Sequence, residues 1–357
     1  MKISVAQLGS VIIGAALFVA PMTGLADTVT INFESPTYTI GNINGQDGWT
    51  KTGPYDVAVV SNTFSFPSFG GQSLRTSDAV TSGSFGDQTF AKPLVNAVGE
   101  ADSTNGTFSP GTLQRHFEMK FDLASVLQTV QSGMHVSVSP DRGDGSRMSY
   151  LRFEDHSSSE VYTVDTADST HPIGSNYTDG IHVYFDDVTD PGPIGTVATF
   201  NETDIATISR TPHTIKLTFD AIDGPHNDVV KAYIDGVLKI TGTSWEDYYR
   251  YDPESIAEQS PRIVKTVLFR ESGTPNPLDL GKGFLIDNLT VLSGPILVGP
   301  PTNKDQCKNG GWKTFNNPSF KSQGDCVSFV ENHNDKGGNG DHGDKNNDQQ
   351  GQQGHQG

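Results

Sequence analysis

Two short stretches set aromatic, basic and acidic side chains along one face of an extended chain. In residues 149–154, Tyr150, Arg152 and Glu154 fall on one side, and Ser149, Leu151 and Phe153 on the other. In residues 181–186, His182, Tyr184 and Asp186 oppose Ile181, Val183 and Phe185 in the same way. Tyrosine faces stack on sugar rings, and Arg, Asp and Glu hydrogen-bond sugar hydroxyls. Tyr150, Arg152, Glu154, His182, Tyr184 and Asp186 are therefore a candidate glycan-binding set. An ordinary solvent-facing sheet surface is the competing reading. The types present, two Tyr, one His and one Arg rather than Thr, Ser and Lys, favour a ligand.

The same residues could do chemistry. Glycoside hydrolysis needs two carboxylates about 5–10 Å apart across the scissile bond. Glu154 and Asp186 meet that if their strands are close. A lyase needs a base, an acid and a neutraliser for a uronate carboxylate, and Tyr150, His182, Tyr184 and Arg152 have those types. Glu154, Asp186, Tyr150 and His182 are thus the catalytic candidates. A formal net charge of -18 would repel a polyuronate unless calcium or a local basic patch intervened. It also argues against nucleic acid and anionic membranes as partners.

Calcium is the cofactor these acidic loops suggest. Asp223, Asn227 and Asp228 crowd one loop, and Asp47, Asp141 and Asp144 lie in Gly-containing loops. No loop follows the EF-hand spacing, and Asp and Asn also serve simply as turn formers. Asp186, Asp187 and Asp190 form a further acidic group with the same two readings.

Positioning such faces requires sheets. From Thr28 to Leu292 the dominant hydrophobic period is two, as in 115–121, 134–138, 214–219, 229–234 and 284–291. The runs are β-branched or aromatic and bounded by Gly, Pro, Asn and Asp. Asp235-Gly236 between two such runs marks a hairpin. Only 123–131 and 245–258 read as short helices. This stretch is too long for one immunoglobulin-like unit of about 100 residues and suits an all-β, two-sheet antiparallel jelly-roll sandwich. No internal repeat supports a propeller.

Three segments carry a resemblance. Asp223-Gly224-Pro225-His226-Asn227-Asp228-Val229-Val230-Lys231-Ala232-Tyr233-Ile234-Asp235-Gly236 resembles the late hairpin of concanavalin A-like (laminin-G-like) jelly rolls. Gly283-Phe284-Leu285-Ile286-Asp287-Asn288-Leu289-Thr290-Val291 resembles their closing strand, and Asn44-Gly45-Gln46-Asp47-Gly48-Trp49 an early loop of secreted members. The resemblance covers most of 27–294 and implies a concave sheet that often holds a glycan. It does not imply an activity, because the superfamily holds lectins, glucanases, lyases and adhesion modules. Glucanases of this fold alternate Glu, Asp and Glu on one strand. Glu202-Thr203-Asp204-Ile205-Ala206 is the nearest match, lacks the third carboxylate and sits in poor strand context. The Arg-Glu-Arg and Gln-Ile-His signatures of jelly-roll alginate lyases are absent.

Flanking segments complete the layout. Met1-Lys2, the apolar run 11–20 and the small residues Gly24 and Ala26 read as a signal peptide cleaved after Ala26. Secretion, or a periplasmic site, is the expectation, with no membrane-spanning segment. Residues 27–294 form the jelly roll, and 295–302 a Pro/Gly linker. Residues 303–333 form a small segment holding the two cysteines, Cys307 and Cys326. In an exported protein these pair, and closing a loop of about 20 residues gains about 3 kcal/mol. Residues 334–357 are Gly, Asn, Asp, Gln, Lys and His and read as a disordered tail.

Other signals are weaker. Trp245, Tyr248, Tyr249 and Tyr251 could line a sugar site, but read first as packing over a sheet edge. Arg142-Gly143-Asp144 is a lone integrin-type tripeptide in a Gly-rich loop. Asn105-Gly106-Thr107 and Asn288-Leu289-Thr290 fit the glycosylation pattern. The sequence thus points first to a secreted, lectin-like protein binding a polysaccharide or other glycan. A lyase or glycoside hydrolase using the same face is the alternative, and a structural or adhesion protein of the cell surface is the third reading.

Overall fold

A computed structural model describes residues 26–81, 83, 88–101, 113–163, 171–256 and 262–334. The signal-peptide residues before Ala26, the Asn105 glycosylation pattern and the tail beyond Asn334 lie outside the described residues. The chain divides into two compact units, Met1–Ile296 and Leu297–Gly357.

In the first unit, two antiparallel sheets of nine and seven strands carry almost all the regular structure. Alternation produces this arrangement directly. In Leu151–His156, Leu151, Phe153 and Asp155 are buried while Arg152, Glu154 and His156 are half-buried. Phe121, Leu217 and Val291 of the nine-stranded sheet share one core with Phe153, Val183 and Phe269 of the seven-stranded sheet. This is a two-sheet sandwich. The Asp235-Gly236 turn joins Val229–Ile234 to Val237–Gly242, with both turn residues at positive φ (51° and 78°). The closing strand, Phe284–Gly294, lies inside the nine-stranded sheet. The all-β, two-sheet antiparallel sandwich expected from the sequence is therefore present.

The helical expectations divide. Residues 245–258 contain two short helices, Glu246–Tyr251 and Pro253–Ile256. Residues 123–131 form no helix. Leu123 to Ser125 continue the strand His116–Ser125, because Leu123 and Ala124 are wholly buried and paired with Ile286 and Leu285. Among the described residues, no helix is long and apolar enough to cross a membrane.

In the second unit, Cys307 and Cys326 form a disulfide with Cα atoms 5.7 Å apart. They pack with Val330, Trp312, Phe315 and Phe320, and the helix Gln323–Asn334 carries Cys326 and Val330. This core is too small to stand without its cross-link.

Candidate functional site

The outward face of the seven-stranded sheet is laid out in rows by cross-strand pairing. One row runs Arg270, Ser137, Arg152, Tyr184 and Asp204 across five neighbouring strands. The next places His135, Glu154, His182 and Thr207 side by side. A third brings Asp186 opposite Glu202. The two ladders read from sequence are thus on adjacent strands, with Arg152 facing Tyr184 and Glu154 facing His182.

Loops build walls above this floor. Asp141 accepts from the backbone N–H of Gly143, Asp144 and Gly145 and folds the 142–150 loop over the sheet. That loop is fixed to the segment opposite it, since the backbone N–H of Trp245 donates to the Met148 carbonyl (2.8 Å) and the Tyr249 hydroxyl to the Arg147 carbonyl (2.8 Å). The result is a cleft of about 700 Å³. Its aromatic lining is Tyr150, Phe200, Trp245, Tyr248 and Tyr249; its charged lining is Arg147, Arg152, Arg270, Asp186, Glu202 and Glu254.

The aromatic wall is continuous. Phe200 lies 5.2 Å from Trp245 and 5.7 Å from Tyr248, and Tyr150 lies 6.0 Å from Trp245, all edge-on. Trp245 is 7% exposed, and its buried indole N–H has no partner among the described residues. A buried donor without an acceptor is costly and marks a place where a ligand oxygen would be stabilising. Packing is only part of what these aromatics do: Trp245, Tyr248 and Tyr249 line the cleft, while Trp245 and Tyr249 also belong to the buried core. Tyr251 instead stacks near His226 at 5.5 Å.

The polar floor is ordered. Glu202 accepts from Arg152 through both carboxylate oxygens and from the Tyr150 hydroxyl (2.9 Å). Burial works against the charge on Arg152, but the Glu202 hydrogen bonds and charge prevail and raise its pKa. The Arg152 guanidinium also sits 4.2 Å from the Tyr184 ring centroid. Asp186 is 2% exposed, and its pKa is pushed up to about 7, first by burial and then by the charge of Glu202. Two neighbouring carboxyls thus have opposite situations: Glu202 is held by an arginine, while Asp186 takes up a proton near neutrality.

The six expected ligand residues therefore separate. Tyr150, Arg152 and Asp186 line the cleft. Tyr184 supports Arg152 from below. Glu154 is drawn away by Arg152 and His156 (3.0 Å) and does not line the cleft. His182 is wholly buried, with Nδ1 2.6 Å from Asp204 and Nε2 2.8 Å from the Thr178 carbonyl, so both nitrogens are occupied internally. The carboxyl pair at the cleft is Asp186 with Glu202, not Asp186 with Glu154. Glu202 lies within a ten-residue strand, Thr199–Ile208, so its strand context is sound. Arg147 and Arg270 carried no signal in the alternation of the two ladders, because they arrive from a loop and from a distant strand.

The expected calcium ligands also separate. Asp223 is taken by Arg115 (2.6 Å) and the Ala101 N–H, and the Asn227 amide donates to the Asp223 carbonyl (2.8 Å). Asp228 instead joins Glu100 and Glu246, whose carboxylate oxygens lie within 4.8 Å of one another and could hold a metal ion. Burial pushes Asp228 up to about 8 and Glu100 to about 7. Arg250 and Arg262 both pair with Glu100, so a cation would share the cluster with two guanidiniums. In the Arg142-Gly143-Asp144 loop, Arg142 closes back on Asp144 (2.9 Å).

Compared by sequence, the chain matches no family model and no curated protein. Among solved structures it is similar to an alginate lyase mutant in complex with alginate trisaccharide (12% identity, TM-score 0.40, 75% of this chain and 98% of that one). It is also similar to basic winged bean lectin with Tn-antigen (12% identity, TM-score 0.33, 75% and 98%). A third is an alginate lyase from Pseudomonas aeruginosa (10% identity, TM-score 0.29, 74% and 97%).

Proposed function

We propose that this chain is a carbohydrate-binding protein that holds a glycan in the cleft on the outer face of its seven-stranded sheet. One observation carries the reading. An aromatic wall of Trp245, Tyr248, Phe200 and Tyr150 faces a hydrogen-bonding floor of arginines and carboxylates within one cleft of about 700 Å³. A pyranose needs both: an apolar face to stack on, and charged groups to reach its hydroxyls. The cross-links between the 142–150 loop and the Trp245 segment hold the walls in place, so little ordering cost falls on binding. A glycan array probed with the full chain tests this. Binding to at least one glycan, lost in Trp245→Ala, is expected; no binding to any glycan would refute it.

Polysaccharide cleavage by the same cleft is the second reading, favoured by Asp186. A carboxyl with a pKa near 7 beside a carboxylate fixed by arginine has the division of roles that glycoside hydrolysis uses. Reducing-end and unsaturated-product assays on a polysaccharide panel separate the two. No product from a polymer that binds leaves a lectin-like protein.

The export reading places the protein outside the cytoplasm, and the Cys307–Cys326 disulfide supports it. Calcium is the ion that the all-carboxylate cluster Glu100, Asp228 and Glu246 would take.

A further inference from the structure

Antiparallel pairing sets Asp186 directly opposite Glu202 on the neighbouring strand, and both line the cleft. Residues paired in this way have Cβ atoms about 5 Å apart, and like charges so placed repel. The two carboxyls are unequally provided for. Glu202 is taken by Arg152 through both oxygens and by the Tyr150 hydroxyl. The Asp186 carboxyl has no hydrogen bond and no ion pair among the described residues, although the residue is only 2% exposed.

The charged groups around Asp186 leave it in that position. Arg152, from the strand Leu151–His156, is committed to Glu202 and Glu154. Arg147, from the 142–150 loop, acts on Asp186 through its charge. Asp187, next along the strand, turns to Thr243 on the opposite face. On the helix Glu246–Tyr251, Glu246 and Arg250 turn to Glu100, and Asp247 to His226 (2.7 Å). Glu254 stands exposed on Pro253–Ile256, and Arg270 enters the cleft from a strand three places along the sheet. Burial first, and Glu202 second, raise the Asp186 pKa to about 7, while Arg147 and Arg152 pull against them without prevailing. The pairing and this balance agree: of the two carboxyls, Asp186 is the one that keeps a proton.

A sugar ring entering the cleft sharpens the difference. It displaces water from beside Asp186 and so raises the cost of a charge there. The neutral acid avoids that cost and offers an O–H to a sugar hydroxyl or ring oxygen.

We propose that Asp186 meets the glycan as a neutral carboxylic acid, its O–H donated to a sugar oxygen, and that the cleft releases the glycan as that proton is lost. This rests on the glycan reading of the cleft and adds its regulation: binding holds in mildly acidic surroundings and weakens in alkaline ones. Affinity then follows the protonated fraction of Asp186. That fraction is nearly complete at about pH 6 and about one-tenth at about pH 8, so the dissociation constant rises about tenfold between them.

A glycan array probed with the full chain at about pH 6 and about pH 8 tests the proposal, followed by calorimetry with the oligosaccharide that the array binds most strongly. Thermal melts confirm folding at each pH. Affinity should fall about tenfold from the lower pH to the higher. Titrations in phosphate and in Tris at about pH 7.5 should show net uptake of most of one proton on binding. Asp186→Asn keeps the shape of the side chain and donates through an amide that does not titrate. Its affinity should change less than about twofold over the same range, and at about pH 8 it should bind more tightly than the native protein. Affinity that is flat or rises with pH, proton release on binding, or an Asn variant that keeps the tenfold fall would each overturn the proposal and leave the glycan reading standing. An array with no binding at either pH would overturn both.

Discussion

Replacing Asp186 by Asn removes one ionisation while keeping the shape of the side chain. In the folded protein Asp186 titrates near 7, against an ordinary value of 3.8. A raised carboxyl pKa means the native state binds the proton more tightly than the unfolded state. Its stabilising contribution is complete below about pH 3.8 and is lost as pH rises towards 7. A difference of about three units corresponds to about 4 kcal/mol at pH 8, at about 1.4 kcal/mol per unit. The side chain is 2% exposed, so solvent screening reduces this little. Asn carries no such penalty. The stability of Asp186→Asn relative to the native protein should therefore climb by about 1.4 kcal/mol per pH unit between about pH 4 and 7, then level off. Urea unfolding of both proteins at about pH 4.5, 6 and 8 measures it. Other carboxyls that titrate high, such as Asp228 and Asp287 (both near 8), act on both proteins and cancel in the difference. A difference that stays flat with pH, or falls, would refute the burial of Asp186 against Glu202.

Arg152→Met should destabilise the first unit by about 2 kcal/mol, below the about 3–5 of a fully buried pair because both partners keep roughly a fifth to a quarter of their side-chain exposure. Urea unfolding at neutral pH checks it, and an unchanged midpoint would contradict the Glu202 ion pair. Tyr150→Phe loses only the hydrogen bond to Glu202 and should cost about 1 kcal/mol in the same assay. Millimolar calcium should raise the melting temperature, and Asp228→Asn should remove the rise. An unshifted melt would mean that Arg250 and Arg262 keep the acidic cluster to themselves.

The site was half legible in the sequence for definite physical reasons. Strand alternation is local, so the division of Tyr150, Arg152 and Glu154 from Leu151 and Phe153 could be read directly, as could that of Tyr184 and Asp186 from Val183 and Phe185. What lies above a strand is not local. His182 shares the polar face, but Thr178 and Asp204 enclose it from other segments. Glu202 reaches Asp186 only after the register shifts between Val183 and Tyr184, an irregularity that leaves no mark in composition. Arg270 pairs with Ser137 across more than a hundred residues of chain, and Trp245 enters from a segment whose aromatic content fits packing equally well. The same limit explains the metal cluster. Asp228 is adjacent in sequence to Asn227 and close to Asp223, but its carboxylate neighbours are Glu100 and Glu246. The fold was the most legible part, because a period of two bounded by turn residues, with a hairpin at Asp235-Gly236, specifies a sandwich with few competitors.

The central claim is that the cleft binds a glycan through its aromatic wall. Trp245 contributes stacking area and a buried indole N–H without an acceptor among the described residues, so truncating it should cost more than about 1.4 kcal/mol of binding, a factor of ten or more. The direct measurement is calorimetric titration of a glycan recovered from the array into the native protein and into Trp245→Ala, at a temperature where both are folded. The account predicts saturable binding to the native protein and at least tenfold weaker binding to the variant. Equal affinity for the two proteins would place the glycan elsewhere and contradict it.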